Sequence, residues 1–138
     1  ERNISELKRV AKGCSRIQFC QPVVLDQIVP MLSDYDIGLF YVEPSTLNLL
    51  NCLPNKFFEF IQARLAVAIG PSPSMAELIN EYKLGFVAAE FSIESMVQTL
   101  QALTPEIIDQ AKRNSDIAAK ELCYEREGEK LMTLMGYF

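Results

Sequence analysis

Lys56 and Glu59 stand three residues apart on a stretch, Pro54 to Lys56, that opens a helix behind a long run of small and polar residues, Pro44 to Leu53. The start of a helix leaves its first amides without partners and carries partial positive charge, which suits an anion such as a phosphate. Lys56 would add a point charge there, and the Glu59 carboxylate, one turn further on, would accept hydrogen bonds from two hydroxyls. Spacing alone favours a plainer reading, an exposed ion pair at i and i+3 contributing about 0.2 to 0.5 kcal/mol.

The remaining inventory narrows the chemistry. The chain has no histidine, so no Ser-His or Cys-His dyad is available, and a general base must be a carboxylate, a lysine or a tyrosine. Its four cysteines, Cys14, Cys20, Cys52 and Cys123, form no Cys-x-x-Cys pair and read as buried free thiols. No metal site and no cofactor are expected from this set. Asp34 and Asp36 lie at the start of a strand and read as solvation of its edge. The aromatic residues Tyr35, Phe40, Tyr41, Phe57, Phe58 and Phe60 are not interleaved with basic residues and read as core.

Those residues need a scaffold, and the hydrophobic pattern supplies one. Short apolar runs alternate with amphipathic helical stretches, the signature of βαβ units that build a parallel sheet covered by helices on both faces. About four strands are predicted, at Arg16 to Cys20, Asp36 to Tyr41, Leu65 to Ile69 and Leu84 to Ala88. Apolar spacings of three and four predict helices through Ile4, Leu7, Val10 and Ala11, and through Leu25, Ile28, Val29 and Leu32, the second kinked or restarted at Pro30.

Ser74 with Glu77 has capping-box spacing, Gly85 reads as the turn into the last strand, Ser92 as a helix cap, and Thr104 with Pro105 as a cap followed by proline. A weakly helical segment, Glu125 to Phe138, closes the chain. The motif region therefore lies at the carboxyl end of a strand, where open parallel sheets bind ligands.

Size and charge bound the function. With 138 residues, 49% of them hydrophobic, there is room for one core and not for two. A formal net charge of -5 with no basic run argues against a nucleic-acid groove or a polybasic membrane patch. No apolar run approaches a membrane span, so no integral membrane segment is expected and a cytoplasmic location is the natural reading.

The string Leu53-Pro54-Asn55-Lys56-Phe57-Phe58-Glu59-Phe60, the strand Leu65 to Ile69, then Pro73-Ser74-Met75-Ala76-Glu77 and Gly85 resemble the C-terminal half of retaining GT-B glycosyltransferases of the group 1 type. The closing stretches Ala111-Lys112-Arg113-Asn114 and Cys123-Tyr124-Glu125 resemble that family's terminal helices. The resemblance implies a Rossmann-like donor-binding domain of a two-domain enzyme active in polysaccharide biosynthesis. Such an enzyme transfers a hexose from a UDP- or GDP-sugar to a glycan or lipid-linked acceptor.

It further implies that Glu59 binds the donor ribose, that Pro54, Asn55 and Lys56 approach the phosphates, that Asn51 lies near the sugar, and that Cys20, Gln21, Pro22 and Val23 border the base. The chain would then begin inside its domain, be inactive alone, and need an N-terminal acceptor domain, through which it could sit at a membrane surface.

The chain departs from the family pattern at three places. Asn51 replaces a second glutamate and no glycine lies between it and Glu59; Arg64 and Ala66 stand where glycine and proline are usual; the Arg and Lys that clamp the diphosphate have no counterpart. A sugar-nucleotide epimerase-like domain and a non-enzymatic α/β interaction module remain alternatives.

Overall fold

A computed structural model describes residues 2–137. The chain is α/β, with α1 (Arg2–Val10), α2 (Leu25–Leu32), β1 (Ile37–Phe40), α3 (Leu47–Asn51), α4 (Asn55–Gln62), β2 (Ala66–Ile69), α5 (Pro73–Tyr82), β3 (Gly85–Val87), α6 (Ile93–Gln101), α7 (Pro105–Ala118) and α8 (Tyr124–Leu134). Among the described residues no helix is long and apolar enough to cross a membrane.

The three strands form one parallel sheet in the order β1-β2-β3, with Gly38 opposite Val67 and Val67 opposite Gly85. Every residue of the central strand β2 is buried. Its side chains alternate: Val67 and Ile69 join Phe57, Phe60 and Ile61 of α4, Met75 and Ile79 of α5 and Ala118 of α7, whereas Ala68 joins Ala88 and Met96 of α6. Both faces of β2 are therefore apolar, as parallel sheets require.

Two close approaches fix the sheet. A Cβ at Gly38 would collide with the Phe60 ring, and one at Gly85 with the Val67 backbone. Gly85 therefore works as the point where β3 meets β2. The turn it was expected to make is made earlier, at Lys83, whose φ of 56° caps α5 in the left-handed conformation.

Several expectations need correction. Among the described residues the sheet has three strands and not about four, because Arg16 to Cys20 is irregular, with no ladder partner there. The loop predicted from Pro44 to Leu53 contains α3, started by Thr46, whose hydroxyl accepts from the Leu49 amide at 3.2 Å. Ser74 caps nothing. The N-cap of α5 is Ser72, with Pro73 as the first helical residue, and the buried Ser72 hydroxyl donates to Leu50 O at 2.7 Å, tying α3 to α5.

The fresh helix start expected as one outcome at Pro30 does not occur, since α2 runs through that residue to Leu32. The four cysteines are free, but Cys20 is exposed and the other three are only half-buried. Ser92 and Thr104 do cap α6 and α7. The closing helix forms as α8, and Phe138, the end of its predicted span, lies outside the described residues.

Candidate functional site

A cleft among the described residues has a volume of about 860 Å³, within the range of small-molecule sites. It runs along the outer side of α4, between α5 and the start of α8. Leu53, Asn55, Phe58, Glu59 and Gln62 form one wall, Leu78 and Tyr82 another, and Leu122 to Glu125 with Glu127 and Lys130 the third. α4 offers this wall because Phe57, Phe60 and Ile61 point into the core, which turns the Asn55, Phe58, Glu59 and Gln62 side away from the sheet.

The space beyond the carboxyl ends of β1 and β2, where a ligand was expected, is nearly filled. Phe40, Val42, Leu49, Ser72, Met75 and Phe91 leave about 10 Å³ there, and a Cβ at Gly70 would lie 2.6 Å from the Phe91 ring. The cleft reaches the amino end of α4 from the helix side and not from the strand ends.

Of the predicted residues, Glu59 and Asn55 come together in this cleft. Glu59 is half-buried, and its carboxylate makes no hydrogen bond or ion pair with a described residue; the predicted surface pair with Lys56 is therefore not formed. Lys56 is exposed and off the lining. Pro54 is the N-cap of α4 and, having no side-chain acceptor, leaves the first amides of the helix uncapped. Asn51 is turned back into α3, its amide donating to Leu47 O at 2.9 Å.

Cys20, Gln21, Pro22 and Val23 are exposed and do not line the cleft; the Cys20 thiol sits 3.8 Å from the Tyr35 hydroxyl. Asp34 and Asp36 have the Asp-x-Asp spacing of some metal sites, but Asp36 is paired with Lys112 at 2.8 Å and neither lines the cleft.

No family model, curated protein or solved structure matches this chain. The site therefore rests on its own geometry, and much of that geometry comes from residues whose spacing carries no motif. Gln62 donates from one amide nitrogen to both Ala119 O and Leu122 O at 3.0 Å, closing the end of α7 and fixing where the third wall begins. Tyr82 donates to Glu121 at 3.1 Å. Burial, and then that hydrogen bond, raise its phenol above the ordinary value, so it stays a protonated donor at neutral pH. Lys130 lies 2.6 Å from Glu127, and that bond holds its ammonium charged.

The lining offers groups that can recognise a ligand. Leu53, Phe58, Leu78 and Leu122 give an apolar floor, Tyr82 and Tyr124 aromatic edges, Asn55 a donor and acceptor, and Glu59 an unengaged acceptor for hydroxyls.

Proposed function

We propose that this chain supplies part of the donor site of a glycosyltransferase that moves a hexose from a UDP- or GDP-sugar to a glycan or lipid-linked acceptor. The observation that carries the reading is Glu59: a half-buried, unpaired carboxylate lining a ligand-sized cleft beside Asn55 at the uncapped start of α4. Such a carboxylate suits a vicinal diol, because two hydroxyls can donate to its two oxygens and compensate its partial desolvation. The resemblance of Leu53 to Phe60 to the GT-B donor motif gives that diol an identity, the ribose of the nucleotide.

The task of this chain is then to hold the donor, and no side chain here is assigned a proton transfer. The partner it requires is an acceptor-binding domain across the cleft, and the reading includes no metal or cofactor.

Calorimetric titration of the chain with UDP and GDP tests this. We expect Glu59→Gln to bind the preferred nucleotide at least about tenfold more weakly, the size of a lost charge-assisted hydrogen bond. Circular dichroism should be unchanged, since Glu59 packs no core. Equal affinity in the variant, or no nucleotide binding by the parent chain, would overturn the proposal.

A further inference from the structure

The charges around the cleft do not match a whole nucleotide sugar. Three carboxylates, Glu59, Glu125 and Glu127, line it against one ammonium, Lys130, which is already engaged by Glu127 at 2.6 Å. Glu121 lies just outside, taken by the Tyr82 hydroxyl. The cation nearest in sequence to Glu59, Lys56, is off the lining. Against these negative charges stands the amino end of α4, equivalent to about half an elementary positive charge. A diphosphate brings two or more negative charges of its own, so its attraction to the helix end is offset by repulsion from the carboxylates. The apolar floor and the free acceptor of Glu59, by contrast, suit a neutral group with a flat ring and hydroxyls.

We infer that the cleft binds the nucleoside part of its ligand and that the lining of the cleft gives the diphosphate no net attraction. The inference rests on the nucleotide-sugar reading and deepens it: any favourable clamp for the phosphates must come from polypeptide outside this cleft. The ligand class for the chain by itself is a neutral nucleoside, with the phosphates turned toward solvent.

The test titrates the whole chain with uridine, UDP, guanosine and GDP, at low and at high sodium chloride. Within the preferred pair, nucleoside and diphosphate should agree within about threefold at low salt. Added salt should leave the nucleoside unchanged and hold or strengthen the diphosphate, because screening weakens repulsion. A diphosphate binding at least about tenfold tighter than its nucleoside at low salt, and weakening as salt is raised, would overturn the inference while leaving the donor-site reading intact. Absence of binding by all four ligands would remove both.

Discussion

Arg64 stands where a helix-to-strand turn asks for glycine, and it adopts the glycine conformation, with φ of 64°. For a residue with a Cβ that costs about 1 to 2 kcal/mol. Its side chain shows what offsets the cost: the guanidinium donates to Gln62 O and, through Nε, to Asp116 at 2.7 Å. The sequence marks Arg64 as unusual but not how it is held, because Asp116 is 52 residues away in the chain.

The hydrogen bond from Arg64, followed by the charge of Lys120, holds the Asp116 carboxyl below the ordinary aspartate value of 3.8. A depressed folded-state value means stability that is complete above 3.8 and lost as pH falls through the lower one. We expect Asp116→Asn to lower the urea midpoint at neutral pH, and the gap to the parent chain to close in acid. A gap that persists unchanged below the folded-state value would show that the aspartate contributes through its shape and not its charge.

Among the elements, helix starts separate what sequence spacing can and cannot decide. Ser92 caps α6, accepting from the Ser95 amide at 3.1 Å, while the Ser95 hydroxyl accepts from the Glu90 amide at 3.1 Å. Ser74 has the better motif, with Glu77 three residues on, yet lies inside α5, because Pro73 sets the helix start two residues earlier and makes Ser72 the cap. Ser92→Ala is therefore expected to cost about 1 kcal/mol, and Ser92→Gly a few tenths. Ser74→Ala should stay within about 0.5 kcal/mol. Urea midpoints with an unchanged slope measure all three, and a loss at Ser74 equal to that at Ser92 would refute the assignment of the caps.

The same contrast governs what was legible elsewhere. Strands buried on both faces, as β2 is, read clearly from Leu65 to Ile69, and α4 with Asn55 and Glu59 on it follows from the helix opening at Pro54. The walls of the cleft on α5 and α8 do not, since Tyr82, Leu122 and Lys130 meet α4 only across long stretches of chain, as Gln62 meets Leu122 60 residues away.

For the molecule as a whole, the failed fourth strand is the instructive case. Arg16 to Cys20 alternates as a strand should, but a strand exists only beside a partner, and this one has none. Ile17 and Phe19 stay exposed, Lys8 lies 5.8 Å from the Phe19 ring, and α1 leaves Ile4, Leu7 and Val10 exposed as well. The neighbouring edge is open too. The Ala66 amide donates to Asp36 O at 3.0 Å, so alternation turns the polar groups of Gly38 and Phe40 toward β2 and those of Ile37 and Leu39 outward, with the Leu39 side chain 47% exposed. Stability is thus concentrated in β2 and the helices packed on it.

Amide hydrogen exchange should reproduce that gradient. Amides of Ala66 to Ile69 should exchange only with global unfolding, and those of Gly38 and Phe40 nearly as slowly. Ile37, Leu39 and residues 18–21 should exchange within about tenfold of their unprotected rates, apart from the slowing any neighbour imposes by sterics. Strong protection at Ile37 and Leu39 in the isolated chain would mean that the outer edge of β1 is covered in solution, and the open-edge description of this sheet would fall.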